Sequence, residues 1–267
     1  MKSPAKSCLL DPIPTWFIKQ NASMFVPIIT RIVNSSLSTG TFPESLKHAV
    51  ISPVIKKPSL NPHELQNYRP VSNIPYLSKI IERHAVDNIA RYMSENNLGE
   101  PLQSAYRPAH STESALHKVK CDIMEFTSQR KGVFLALLDL SAAFDTVNHN
   151  ILLTRLANEI GLQGDVLKWI SSYLSGRTTR VCIDGMFSER LDLKYGIPQG
   201  SIVGPQQFSI YTIPIGSILR KHNLLYHIYA DDIQIYTSFD PKDYNSITSA
   251  LSRISACIDE VKSWITF

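Results

Sequence analysis

The sequence predicts an α+β chain, and three observations lead there. Apolar strand-like runs and helical periodicities are interleaved without the strict strand–helix–strand alternation of parallel folds. Two tight hairpins can be read directly, and hairpins build antiparallel sheet. Of the 267 residues, 43% are hydrophobic, enough to bury a sizeable core.

Taken in order, Pro12, Pro14 and Pro27 interrupt the first segment, and a helix is expected only from residue 28 to 37, stopping near Gly40. Residues 49–55 (AVISPVI) read as a short strand whose proline suits an edge. The polar, proline-marked stretch 56–67 reads as an exposed loop. In residues 77–93, Ile80, Ile81, Ala85, Ile89 and Tyr92 recur at helical steps. A further helix is expected over 112–125 with Ser111 as N-cap. The run 133–140 (VFLALLDL) is almost continuously apolar, the pattern of a strand buried on both faces, yet it contains Asp139. Two amphipathic helices follow at 150–159 and 165–174. Strands at 180–183 and 186–191 flank Asp184-Gly185, a hairpin signal. A loop with Gly196, Pro198, Gly200, Gly204 and Pro205 leads to an apolar helix from near Gln206. Strands at 224–230 and 233–236 bracket Asp231-Asp232, which places two acids at a hairpin tip. A final helix spans 246–264.

Composition narrows the function classes. The four cysteines (Cys8, Cys121, Cys182, Cys257) lie far apart with no CxxC pair, against a disulfide framework or zinc site and in favour of a reducing compartment. No apolar run approaches a membrane span of about 18 residues. The first ten residues are too short and too mixed for a secretory signal, so an intracellular location, nucleus or cytoplasm, is expected. The net charge of +4 is uneven: residues 1–131 carry 16 Lys/Arg and 10 Asp/Glu, and residues 132–267 carry 11 and 13. That asymmetry suits a basic half that grips phosphates and an acidic half that holds cations, although two ordinary solvated surfaces would look the same.

The carboxylates demand the most explanation. Asp139 ends one apolar strand, and Asp231-Asp232 joins two others, in places where acids are disfavoured. If those strands are neighbours, the acids converge and call for a hard divalent cation with oxygen ligands, Mg²⁺ above all. Each feature alone is equally an acidic turn or a strand-end cap.

The surrounding residues resemble a known family. Residues 138–149 (LDLSAAFDTVNH), 196–204 (GIPQGSIVG) and 229–232 (YADD) resemble motifs A, B and C of reverse transcriptases, in order and spacing. Residues 67–83 (NYRPVSNIPYLSKIIER) and 103–115 (QSAYRPAHSTESA) resemble fingers motifs of the same enzymes. The opening, residues 7–19 (SCLLDPIPTWFIK), is similar to the segment that precedes the fingers in jockey-like and chicken-repeat-like LINE (non-LTR) retrotransposons.

The resemblance implies a right-hand polymerase with fingers and palm, the palm an antiparallel sheet backed by helices. It divides the chain into a helical extension (1–48), fingers (49–131) and palm (132–267), ending before motif D and the thumb. On the same resemblance, the endonuclease domain that precedes the polymerase in these elements is expected to lie outside these 267 residues. It implies an RNA-directed DNA polymerase using an RNA template, a DNA primer and deoxynucleoside triphosphates, with two Mg²⁺ ions as cofactor and Mn²⁺ as a substitute. Oligomeric state stays open. Asp139 and Asp231 would ligate metal, Asp232 would complete the acidic cluster, and the Leu140 carbonyl could add a ligand. Asp145 is expected to be structural, capping the next helix. Phe144 falls at the position of a steric gate against ribose, with a core aromatic as the plain alternative. Gln199 and Gly200 would lie against the incoming nucleotide, unless the loop is chosen only for its turns. Arg69 would contact the triphosphate, with Lys56 and Lys57 as further candidates. Lys79, Arg107 and Tyr229 would face template or primer; solvated helix charges would look the same for the first two. Gln206-Gln207 departs from the apolar pair usual there, which puts packing of that helix in question.

Two other functions compete. One is a non-catalytic nucleic-acid-binding remnant of a truncated polymerase. The other is an RNA-dependent RNA polymerase, against which Phe144 and the fingers motifs argue.

Overall fold

The computed structural model describes residues 8–140 and 144–266. Ser7 of the opening segment, residues 141–143 of the motif A segment and Phe267 lie outside the described residues. In chain order the elements are α1 (Thr15–Gln20), α2 (Ala22–Ser38), β1 (His48–Ile55), β2 (Tyr68–Asn73), α3 (Tyr76–Glu95), α4 (Thr112–Ser128), β3 (Gly132–Asp139), α5 (His149–Asn158) and α6 (Gly164–Leu174). There follow β4 (Thr178–Ile183), β5 (Met186–Phe187), β6 (Leu191–Asp192), α7 (Val203–Tyr211), α8 (Ile213–Lys221), β7 (Leu225–Tyr229), β8 (Asp232–Phe239) and α9 (Tyr244–Thr266). Helices and mostly antiparallel strands alternate irregularly, as the α+β reading expects. The described chain divides into two compact units, one within residues 1–98 and 144–207, the other within 99–143 and 208–267.

The first unit holds a sheet in the order β2-β1-β4-β5, with β6 also beside β4. β1 runs antiparallel to β2 and parallel to β4. The expectation of an edge position for β1 is therefore corrected, since it lies between two partners. Its pairing with β4 stops at Ile51, so the strand is an edge on that side by the time it reaches Pro53. On the other side Pro53 faces Pro70, where neither residue has an N–H to donate. An aromatic cluster joins α2 to α6: Trp169 stacks on Tyr173 at 5.6 Å, Phe42 meets Tyr173 edge-on at 5.0 Å, and the Trp169 indole donates to Ser36 Oγ at 3.0 Å.

Two helix expectations also change. Pro27 does not break the first segment but sits inside α2, which begins at Ala22. It lies early in the helix, and packing of α2 against α3 and α6 outweighs the one lost backbone bond. α7 begins at Val203 rather than near Gln206, with Gly204 and Pro205 in its first turn, where a missing N–H costs nothing. Ser111 caps α4 as expected, in a reciprocal capping box with Ser114. Asp184 and Gly185 turn the β4–β5 hairpin with φ of +50° and +80°, the geometry its sequence demands.

The second unit is built on an antiparallel sheet in the order β3-β8-β7. Strict alternation assigns its two faces. Tyr226, Ile228, Ile233 and Ile235 point to one face, where they form a core with Ile215 and Leu219 of α8 and with Ile254, Cys257 and Val261 of α9. Leu135, Leu137 and Asp139 share the opposite face with Asp232, Gln234, Tyr236, His227 and Tyr229. α4 borders this second face, where Tyr236 OH donates to Asp122 and Ser104 Oγ bonds His227 Nε2 at 2.8 Å. The expectation that β3 is buried on both faces is corrected: Leu135 is 46% and Leu137 71% exposed. β3 is the sheet's edge, and only its Phe134, Ala136 and Leu138 side meets the core. No described helix is long and apolar enough to cross a membrane.

Candidate active site

The acids meet in the second unit through strand register. β7 and β8 pair tightly enough that Tyr229 faces Asp232, leaving Ala230 and Asp231 as a two-residue turn. Ala230 takes φ +57°, the left-handed conformation such a turn requires at its first position. On the other side of β8, Asp139 is the direct partner of Asp232. Directly opposed residues point to one face, with Cβ atoms about 5 Å apart. Asp231 stands one residue away on the turn, and its carbonyl accepts from the Leu140 N–H at 3.2 Å.

The electrostatics follow from that crowding. Partial burial raises the Asp232 carboxyl above its ordinary value, and the charges of Asp231 and Asp139 raise it further. The Tyr106 hydroxyl is likewise raised, by burial first and then by Asp231 and Tyr229. Asp139, Asp232 and Tyr229 line a cavity of about 320 Å³ with Leu116, Leu137 and Gln234. Mutually repelling carboxylates facing an open cavity, with only oxygen donors, fit a hard divalent cation. Among the described residues no three metal-ligating side chains are already gathered into a cage.

The first unit carries the glycine-rich loop and its supports. The Gln199 carbonyl accepts from Ser72 N–H at 2.9 Å, which ties the loop to β2. Gly200 has φ +99°, and a Cβ there would stand 2.9 Å from the Ser72 oxygen, so only glycine allows that approach. Gly196 N–H bonds the Val147 carbonyl and Ile197 N–H bonds the Phe144 carbonyl, both at 2.8 Å. Phe144 and Val147, in the second half of motif A, are thus laced to motif B. Gln199 Nε2 donates to both Asp145 carboxylate oxygens, at 3.3 and 3.2 Å. This corrects the reading of Asp145 as a helix cap: Asn148 caps α5, through its side-chain oxygen. Phe144 is half-buried. Asp145, Gln199, Ser72 and Pro70 border a smaller cavity of about 80 Å³.

The cationic candidates are placed unequally. Lys56, Lys57 and Arg69 are exposed in the first unit, with no ion pair among the described residues. Lys79 is half-buried on α3. Arg107, in the second unit, donates from Nη1 to the carbonyls of Glu100, Pro101 and Gln103, so part of its guanidinium organises its own loop. Gln207 is 1% exposed and its amide has no partner among the described residues, whereas Gln206 donates to the Val86 carbonyl at 3.2 Å.

Glu82 was not singled out by sequence reasoning. It is fully buried, accepts from Ser78 Oγ at 2.7 Å, and accepts from Ile202 N–H at 2.7 Å just ahead of α7. A carboxylate at a helix N-terminus is favourably placed. Burial nevertheless pushes its carboxyl up, against the pull of Ser78, Ile202 and Arg177. The available signal was a charged residue on the buried stripe of α3, beside Ile81, Ala85 and Ile89.

Residues 55–266 match the family model described as reverse transcriptase (RNA-dependent DNA polymerase). The chain is similar to the RNA-directed DNA polymerase from mobile element jockey of Drosophila melanogaster, 29% identical over 98% of this chain and 28% of that protein. It is 28% identical to the probable RNA-directed DNA polymerase from transposon BS of the same fly, over 78% of this chain and 23% of the relative. The chain therefore spans under a third of the length of these relatives. Among solved structures, apo telomerase from Candida tropicalis, truncated from its C-terminal domain, shares the fold at a TM-score of 0.53 and 13% identity, covering 79% of this chain and 46% of that one.

Proposed function

The chain belongs to the reverse transcriptase (RNA-dependent DNA polymerase) family, and on that premise we propose that it is the polymerising part of a non-LTR retrotransposon enzyme. In this reading it adds deoxynucleotides from their triphosphates to the 3′-hydroxyl of a DNA primer annealed to an RNA template. The observation that carries the proposal is the register that sets Asp139 against Asp232 with Asp231 on the adjoining turn.

Asp139 and Asp231 would hold the cations, Asp232 would add negative charge beside them, and the Leu140 carbonyl is a further candidate ligand. Two Mg²⁺ ions, or Mn²⁺ in their place, would supply the charge that activates the primer hydroxyl and steadies the leaving pyrophosphate. The protein's part in phosphoryl transfer is positioning and charge neutralisation. Arg69 suits the triphosphate because its fork matches phosphate oxygens, with Lys56 and Lys57 adding charge. Gln199 and Gly200 present loop backbone to the nucleotide, Phe144 bars a ribose hydroxyl, and Lys79, Arg107 and Tyr229 serve template and primer. These substrates place the reaction inside the cell, in nucleus or cytoplasm.

The test is primer extension on a homopolymer RNA with Mg²⁺. Asp231→Asn should abolish extension while leaving the circular dichroism spectrum unchanged. An equally active variant would remove the assignment. A chain that binds template and primer but never extends them would instead be the non-catalytic remnant.

A further inference from the structure

Ala230 and Asp231 form a turn with an unfavourable conformation: Ala230 has φ +57°, a left-handed value that a residue with a Cβ disfavours. Something must hold it. The neighbouring segment Leu102–Ser104 runs beside β7, with Ile228 N–H donating to the Leu102 carbonyl and Ser104 N–H to the Ile228 carbonyl, both at 2.9 Å. From the middle of this strap the Gln103 side chain, only 4% exposed, reaches the turn. Its Oε1 accepts from Ala230 N–H at 2.9 Å and from Ala105 N–H at 2.9 Å. Its Nε2 donates to the Ala230 carbonyl at 3.3 Å. Two N–H donors converge on one atom, which fixes the orientation of the amide.

One side chain thus grips the peptide units on both sides of Ala230. The next peptide is held by the Leu140 N–H on the Asp231 carbonyl. Three successive peptide units around Asp231 are therefore pinned, and with them the direction in which its carboxylate leaves the backbone. We infer that Gln103 is a positioning residue of the polymerase site, acting through Ala230 to aim the Asp231 carboxylate at the cation. The inference rests on the polymerase reading. It gives the buried glutamine at the head of the 103–115 segment a physical reason: a side chain with both donor and acceptor at one end is needed to bind an N–H and a C=O of the same residue. A buried amide without those partners would be expensive.

The test uses this chain with the near-isosteric Gln103→Met and three readouts. In hydrogen exchange with the metal chelated, the Ala230 amide of the unaltered chain should be protected, and Gln103→Met should speed its exchange at least tenfold while core amides of β8 keep their rates. In electron paramagnetic resonance titration, the variant should bind Mn²⁺ at least fivefold more weakly. In primer extension, kcat should fall at least tenfold with little change in the KM for deoxynucleotide, and part of the loss should return at high Mg²⁺. Unchanged Mn²⁺ affinity in a folded variant would overturn the inference, as would an unprotected Ala230 amide in the unaltered chain, which needs no variant at all. A folded chain that never extends a primer counts against the polymerase reading instead, while exchange and Mn²⁺ binding still judge Gln103.

Discussion

Replacing Asp232 by asparagine should stabilise the metal-free protein and weaken the metal-bound one. Asp232 sits opposite Asp139 and next to Asp231. Their charges, after partial burial, hold its carboxyl above the ordinary value of 3.8. Carboxylates on directly opposed residues, with charges about 6 Å apart, repel by about 0.7 kcal/mol at the dielectric of water. Asp232 is exposed, so that screened figure is the appropriate one. With Asp231 adding a smaller share, Asp232→Asn should gain about 0.5–1 kcal/mol in urea denaturation with the metal chelated at low salt. The gain should shrink in 1 M salt, where charges are screened beyond about 3 Å. Saturating Mg²⁺ should reverse the order, because a cation that binds only the folded state stabilises the unaltered chain more. The pH dependence has a definite sign. A carboxyl raised in the folded state opposes folding while ionised, so stability should rise as pH falls from the raised value toward 3.8. Asp232→Asn should lose that acid-side increment. A variant less stable than the unaltered chain in chelator, at neutral pH and low salt, would refute the claim that these carboxylates repel across the register.

Gly196→Ala should cost about 2–4 kcal/mol in urea denaturation, because φ is +79° and the new Cβ would stand 2.8–2.9 Å from Asp145 backbone atoms that cannot rotate away. A loss under about 1 kcal/mol would mean that the motif B loop is not locked to motif A. Phe144→Val should raise ribonucleotide incorporation relative to deoxyribonucleotide, read by competitive primer extension. Unchanged sugar discrimination would return Phe144 to the role of a core aromatic.

Short-range pattern carried much of this protein. Ser111 as N-cap, the periodicity of α3 and the Asp184-Gly185 turn were all legible, because each is decided by residues within a few positions of one another. So was the hairpin that carries Asp231, and the family itself, whose motifs are local strings. The errors share a cause. The apolar run of β3 looked buried on both sides, but burial depends on which strands neighbour it, and β3 is an edge. Pro27 looked like a break, but the packing that keeps α2 intact comes from α3 and α6, distant in sequence.

What the chain determined alone was therefore part of the inventory: most of the helices and strands, though neither α1 nor β2, and which acids lack a structural excuse. Tertiary structure decided the register that sets Asp232 against Asp139, the grip of Gln103 on Ala230 and the burial of Glu82 ahead of α7. The physical reason is range. A backbone preference or a cap acts over one turn of chain, whereas register and hydrogen bonds between remote segments exist only after many apolar side chains have chosen their common interior.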